Sequence, residues 1–469
     1  MKKSLKDPSK TESYRAIAGS SQILKVFDNV VLLVWGHLLE SDSLQFGFKP
    51  GCSTTHCSWL VTEVASYYLR NGTKVFTTLL DCSRAFDKCR FDILFEKLLK
   101  KKVPAILVRS LMYIYIEQVA YVKWGNVKSR MFSITNGTRQ GAVVSPVFFS
   151  LYLDDLFNEL RALGVGCHLG GIFVGAAGYA DDIVLLAPTR SAMAAMLAVC
   201  ENFAIRNNIT FSTDEDPKKS KTKVIYMTGD MKDTKYPAPL QLNGRSLPFV
   251  KTANHLGHEL SQACDLEQDM KVRRAKYIDR TIDVRDTFEF AQPTQILKAV
   301  DVHCGDNYGT MLWPLFEESA GKYFRCWNRC VKMCWSVPES THTVFVDNLL
   351  GVGFTSLRIN VISRYVKFFQ GLLNHGSREV SLIANIVGQD SGSVTGRNLN
   401  GIRLETSLNP WSATSYQVKS TLKSHIKQDE KDGWRLFLLE SYLIQRQETL
   451  DSMEDADEIC QLVNSLCST

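Results

Sequence analysis

Apolar residues recur at helical spacing through I-L-K-V-F-D-N-V-V-L-L-V-W-G-H-L-L, residues 23 to 39, and predict a helix. Glycine and proline punctuate Q-F-G-F-K-P-G-C-S, and a second helix is expected from the Ser-Thr-Thr cluster to the Asn71-Gly72 turn. The pattern then changes. V-F-T-T-L-L-D, residues 75 to 81, is β-branched and aromatic and predicts a strand ending at Asp81. A helix over about 90 to 102 follows, and S-R-M-F-S-I-T-N-G (129–137) reads as the end of a hairpin. Ser145 and Pro146 read as an N-cap and first helical residue, with apolar positions at 148, 149, 152, 153, 156, 157 and 160 behind them. G-I-F-V-G-A-A-G-Y-A, then Asp181-Asp182, then I-V-L-L-A predicts strand, tight turn and strand, with the acids at the tip. A helix at 190–206, a strand K-V-I-Y-M and a short strand pair in Q-L-N-G-R-S-L-P-F-V come next. Residues 265 to 345 read as mostly helical, and 346 to 469 as helical with a Gly/Ser/Asn-rich interruption at 390–401.

A chain of 469 residues has room for two or three domains. At 45% hydrophobic and 22% charged, its composition is globular rather than disordered or membrane-embedded. The longest apolar run, residues 30 to 39, is too short to cross a bilayer, and the polar opening M-K-K-S-L-K-D-P-S-K has no apolar signal core behind it. An intracellular protein, nuclear or cytoplasmic and without a membrane partner, is expected. The 13 cysteines form no framework and suit free thiols in a reducing compartment. Cys326, Cys330 and Cys334, four apart, predict a buried helix stripe rather than a zinc site. Arg358, Arg364 and Lys367, opposite Val361, Ile362, Tyr365, Phe368 and Phe369, predict the solvated face of an amphipathic helix, with a nucleic-acid contact as the alternative. A net charge of +6 permits a nucleic-acid partner without demanding one.

Two aspartate pairs stand close in sequence, and the predicted elements separate them. Asp154 and Asp155 fall inside the helix begun at Ser145, where neighbours point about 100° apart and acids face solvent or a partner. Asp181 and Asp182 fall at a hairpin tip. Two further features join that tip: Asp81 in D-C-S-R-A-F-D, with Phe86 five residues on, and the polar loop N-G-T-R-Q-G-A-V-V-S-P. Singly, each has an ordinary reading: a turn for the acid pair, an N-cap for Asp81, a plain turn for the loop. One arrangement accounts for all three. An acid at a strand end and an acid pair on a neighbouring hairpin can hold two divalent cations roughly 3.5–4 Å apart. Mg²⁺ favours such oxygen ligands together with substrate phosphates. That chemistry is in-line attack of a 3′-hydroxyl on a nucleotide α-phosphate.

These blocks closely resemble the reverse transcriptase of non-LTR (LINE-type) retrotransposons. L-L-D-C-S-R-A-F-D matches the family's strand ending in Asp followed by Phe-Asp, residues 137–146 its G-T-R-Q-G…S-P block, and 179–182 its aromatic-A-D-D hairpin. S-Y-R-A-I-A is similar to the opening segment, Q-F-G-F-K-P-G-C-S-T to the Q-F-G-F block, D-P-K-K-S-K to the lysine block, and H-L-G-H at 255–258 to the primer-contacting turn. The resemblance covers residues 13 to about 262, and more loosely continues to about 345. The chain begins almost at the opening block, so a product truncated at its N-terminus and lacking the family's endonuclease is expected.

The resemblance implies Asp81 and Asp181 as principal metal ligands of two Mg²⁺ ions, with Asp182 completing the site less directly. Phe86 would be the gate beneath the nucleotide sugar that excludes a 2′-hydroxyl; its alternative is a buried core aromatic. Gln140 and the backbone at Gly141 would line the incoming nucleotide, with Arg139 nearby or serving as an ion-pair partner. Arg15 would contact the triphosphate. Lys219 would donate a proton to pyrophosphate, with Lys221 as the alternative. His255 to His258 would touch the primer, or form a surface turn.

The expected fold is α+β, a right-hand polymerase. The fingers comprise 1–74 and an insertion near 103–137. The palm spans 75–262, a small antiparallel sheet backed by the helices near 146–162 and 190–206. A helical thumb covers 263–345, and a helical region of unknown role 346–469. The implied activity is RNA-directed DNA synthesis from an RNA template, a DNA primer and dNTPs. A primer-independent RNA polymerase would share the acids but must accept a 2′-hydroxyl, which Phe86 opposes. A catalytically inactive, nucleic-acid-binding remnant is the other alternative.

Overall fold

V-F-T-T-L-L-D forms β1, Val75–Asp81, buried along its length until Asp81. A strand with neighbours on both edges and both faces covered reads as a continuous apolar run rather than an alternation. In this computed structural model β1 is the second strand of a four-stranded antiparallel sheet. The others are β2 (Ala176–Tyr179), β3 (Asp182–Ala187) and β4 (Lys223–Met227), in the order β4-β1-β3-β2. The structure describes residues 18–82, 85–139, 141–214, 216, 219–304, 308–340 and 357–425.

The longer helices described within residues 18–266, before the one that begins at Glu267, are α1 (Gln22–Trp35), α2 (Thr54–Arg70), α3 (Phe91–Lys100), α4 (Ala105–Ile116), α5 (Ser145–Ala162) and α6 (Arg190–Arg206). α2 begins where the Ser-Thr-Thr cluster predicts. Ser53 accepts from the His56 amide, and His56 Nδ1 accepts from the Ser53 amide at 3.0 Å, a capping box with His in the usual Glu position. α6 matches its expected bounds, capped by Thr189. α5 starts one residue earlier than predicted. Val144 holds the N-cap position, and Ser145 Oγ donates to the Arg139 carbonyl instead of capping. α4 has no counterpart in the sequence reading, because A-I-L-V-R-S-L-M-Y-I-Y-I is nearly all apolar and its period is unreadable.

Every apolar position anticipated on α5 is buried, Phe148, Phe149 and Phe157 completely so. Each such ring contributes about 1.5–3 kcal/mol by leaving water. Phe157 also reaches the sheet: a Cβ on Gly178 of β2 would lie 2.6 Å from its Cζ. Further on, β5 (Thr252–His255) and β6 (His258–Ser261) form a hairpin with His255 opposite His258.

By its internal contacts the chain divides into two units, Met1–Leu266 with Gly371–Ser393, and Glu267–Gln370 with Val394–Thr469. Residues 371–393 join the first unit through Asp390, which pairs with Arg70 at 2.6 Å, and His375, whose Nε2 lies 3.2 Å from Cys52 Sγ. The second unit holds the helices Glu267–Thr287, Pro293–Cys304, Glu318–Cys334 and Val394–Thr406, and most of Leu357–Leu373. Cys326, Cys330 and Cys334 are its predicted buried stripe. On Leu357–Leu373, Val361, Ile362 and Tyr365 are buried and Arg364 and Lys367 exposed.

Candidate active site

Register brings the acids together. β1 pairs with β3 so that Asp81 stands opposite Asp182, and β2 pairs with β3 so that Tyr179 does too. Opposed residues of an antiparallel pair have Cα atoms roughly 5 Å apart. The link between β2 and β3 is Ala180-Asp181, with Ala180 at φ +58°. Two-residue hairpin loops require such left-handed backbone. The adjacent pair of the sequence thus splits in role: Asp181 sits in the turn and Asp182 opens the strand.

Asp182 is held up at about 6, by burial first and then by the charges of Asp181 and Asp81. Lys221 opposes this, its Nζ 3.1 Å from Asp81 Oδ2. A cleft of about 510 Å³ opens beside these groups, lined by Asp81, Asp182, Lys219, Lys221, Asn254 and His255 among others. His255 is 5% exposed, and among the described residues neither of its ring nitrogens has a hydrogen-bond partner. Burial, then His258, lowers its pKa to about 4, so it stands neutral at the cleft wall.

Other anticipated residues are distributed as follows. Phe86 stacks on Phe149 with ring centroids 4.3 Å apart and meets Phe48 edge-on. Gly141 has φ +77°, and a Cβ there would come within 2.5 Å of the Ala18 carbonyl oxygen, so only glycine fits. Arg139 takes the ion-pair alternative: its Nη2 bonds both Asp28 oxygens, at 2.5 and 2.6 Å, inside the protein. Lys219 is largely exposed, 3.7 Å from Asp216. Arg15 and Gln140 lie outside the described residues.

Two residues escaped the sequence reading as individuals. Asp28 anchors the T-R-Q-G loop twice, through Arg139 and through the Val143 amide at 2.9 Å. A lone acid within the apolar run V-F-D-N-V-V was the available signal. Gln45, inside the Q-F-G-F block, bonds to the acid-bearing hairpin at Ala180. Asp154 and Asp155, by contrast, are structural. Asp154 pairs with Lys101 at 2.7 Å and accepts from the Asp42 amide, and Asp155 pairs with Lys97 at 2.7 Å.

Among the described residues, no three Asp, Glu, His or Cys side chains stand ready around one point to hold a metal ion. Chemically the Asp81, Asp181 and Asp182 set still suits a hard cation: it offers only carboxylate oxygens, and after burial it is the negative charge of Asp181 and Asp81 that raises Asp182. No helix of the described residues is long and apolar enough to cross a membrane.

Comparison with known proteins adds the following. Residues 2–260 match the family described as reverse transcriptase (RNA-dependent DNA polymerase). A Pol polyprotein from the type-1 retrotransposable element R2 of Nasonia vitripennis is 30% identical over 127 residues, 27% of this chain and 12% of that protein. The type-2 R2DM polyprotein of Drosophila melanogaster is 24% identical over 186 residues, 40% of this chain and 18% of that protein. A probable RNA-directed DNA polymerase from the Drosophila transposon X-element is 26% identical over 152 residues, 31% and 16% of the two chains. The matched stretches therefore span less than a fifth of those relatives. Among solved structures, telomerase from Candida albicans, in complex with a fragment of telomeric RNA, aligns at a TM-score of 0.37 with 12% identity, covering 84% of this chain and 55% of that one.

Proposed function

This chain belongs to the reverse transcriptase family, and from that premise we propose that it is an RNA-directed DNA polymerase of a non-LTR retrotransposon. It would extend a DNA primer on an RNA template with dNTPs. The observation that carries the reading is the register: Asp81 and Asp182 oppose one another across β1 and β3, with Asp181 in the adjoining turn.

Asp81, Asp181 and Asp182 would hold two Mg²⁺ ions, Asp182 less directly than the other two. When bound, the ions supply activation of the primer 3′-hydroxyl and stabilisation of the leaving pyrophosphate. The remaining work belongs to the chain. Phe86, braced against Phe149, would lie under the sugar and leave no room for a 2′-hydroxyl. Gly141, lacking a side chain, would let the triphosphate approach the backbone. Arg15 and Gln140 would complete the nucleotide contacts. Lys219 Nζ would give its proton to the departing pyrophosphate oxygen, while Lys221 neutralises Asp81 before substrate arrives. The turn between His255 and His258, on the wall of the same cleft, would bear on the primer strand.

Primer extension on an RNA template with dNTPs and Mg²⁺, comparing the protein with Asp181→Asn, tests this. Extension by the parent alone is expected. A folded parent that extends nothing would leave a nucleic-acid-binding remnant instead.

A further inference from the structure

A side chain from outside the sheet grips the acid-bearing hairpin. Gln45 is fully buried, and its amide engages both polar groups of Ala180. Oε1 accepts from the Ala180 amide at 2.9 Å and from the Gly47 amide at 2.9 Å, while Nε2 donates to the Ala180 carbonyl at 3.2 Å. The orientation of the amide is fixed by its partners, since a flipped group would aim its NH₂ at two N–H donors. Main-chain bonds reinforce the clamp: the Phe46 amide donates to the Gly178 carbonyl at 2.7 Å, and the Gly178 amide to the Leu44 carbonyl at 2.8 Å.

Two glycines are shaped to this approach. A Cβ on Gly47 would lie 2.3 Å from the Ala180 nitrogen, and one on Gly178 would lie 3.2 Å from Gln45 Nε2. What the clamp holds is a conformation that a non-glycine residue resists: Ala180 at φ +58°. Asp181 is the next residue. Return of Ala180 to right-handed backbone would rotate the following peptide and carry the Asp181 carboxylate with it. Catalytic groups tolerate little of this, since a displacement of about 1 Å can cost about a hundredfold in rate.

We propose that Gln45 is a positioning residue, which holds Ala180 in its left-handed conformation and so sets where the Asp181 carboxylate stands. The proposal rests on the polymerase reading above. It assigns Gln45 no contact with substrate.

The test uses Gln45→Met, which keeps length and bulk but removes every hydrogen bond, alone and combined with Ala180→Gly. Turnover is measured per active site from burst amplitudes, so that misfolded protein does not count. Gln45→Met is expected to lower kcat by about tenfold or more, to raise the Mg²⁺ concentration for half-activity, and to leave the dNTP KM within about threefold. Ala180→Gly, for which φ near +60° carries no steric cost, is expected to restore part of that loss. A residue that merely packs would be indifferent to the glycine. Parent-like kcat and Mg²⁺ dependence in Gln45→Met, or no recovery with Ala180→Gly, overturns the proposal. Should Gln45→Met not fold, Gly47→Ala presses on Ala180 by a separate route. It should give the same signature, and parent-like kcat there is again a refutation. Asp181→Asn in parallel separates the two failures: if it still extends primers, the polymerase site is misassigned. If it is dead while Gln45→Met and Gly47→Ala turn over normally, only the positioning role falls.

Discussion

Replacing Asp182 with Asn should make the metal-free protein more stable, and most where the folded parent would bear the charge of Asp182. Burial, then the charges of Asp181 and Asp81, raises its carboxyl from 3.8 to about 6. A group bound more tightly to its proton when folded favours folding below its unfolded value, and that contribution is lost as pH rises through the folded value. Above pH 6 the parent therefore bears the full penalty of ionising Asp182 in place. The interval is roughly two pH units at about 1.4 kcal/mol each, an upper limit near 3 kcal/mol. Asp182 is only half-buried, and solvent screening reduces this to about 1–1.5 kcal/mol. Asn cannot ionise, so the variant should escape the penalty. With chelator present at pH 7.5, thermal unfolding of Asp182→Asn should lie about 2 °C above the parent. At pH 4.5 the advantage should shrink to about a third, because the folded parent is then protonated. An advantage equal at both pH values would mean that packing rather than charge is responsible. No advantage at pH 7.5 would refute the electrostatic account.

Three further expectations follow from named contacts. Asp28→Ala leaves the Arg139 guanidinium and the Val143 amide buried without their acceptor. It should cost about 3–5 kcal/mol in urea unfolding, and a loss below about 1 kcal/mol would show the pair to be replaceable. Phe86→Val should relax sugar discrimination, raising ribonucleotide incorporation relative to dNTP by about tenfold or more in primer extension. Unchanged discrimination would return Phe86 to the core through its stack on Phe149. Lys219→Ala should lower kcat about a hundredfold, and Lys221→Ala, which removes a counter-ion of Asp81, much less. The reverse ranking would transfer the proton donor's role to Lys221.

Much of the sheet was legible because its strands are short, apolar and bounded by polar turns. β1 ends at Asp81 and β4 spans Lys223–Met227, as the β-branched runs predict. α5 and α6 were legible through caps and period. α4 was not, since a helix apolar on most of its surface carries no period. The acids and the T-R-Q-G loop could be picked out, but their supports could not. Gln45 meets Ala180 across 135 positions and Asp28 meets Arg139 across 111. Nothing local to a glutamine in Q-F-G-F says that its amide will face inward and grip a turn.

The two aspartate pairs share a dipeptide but differ in their surroundings. Each acid on α5 is answered by a cation: Asp154 by Lys101, with the Asp42 amide beside it, and Asp155 by Lys97. Their charges are paired within the fold. Asp182 is the opposite case. Its strongest charged influences are two other acids, and Lys221, the opposing cation, is bonded to Asp81. The fold is thus less stable for holding Asp182 where it is. Such local conflict persists in a folded chain when something elsewhere over-determines the geometry. Here that is the central pairing of β1 with β3, and at the turn the amide of Gln45. An acid pair already neutralised by its own lysines has no residual field for a cation. Asp182, raised by burial and by two neighbouring acids, keeps such a field, and on the proposed polymerase reading it is this imbalance, rather than the Asp-Asp sequence, that would mark the hairpin pair for cation chemistry.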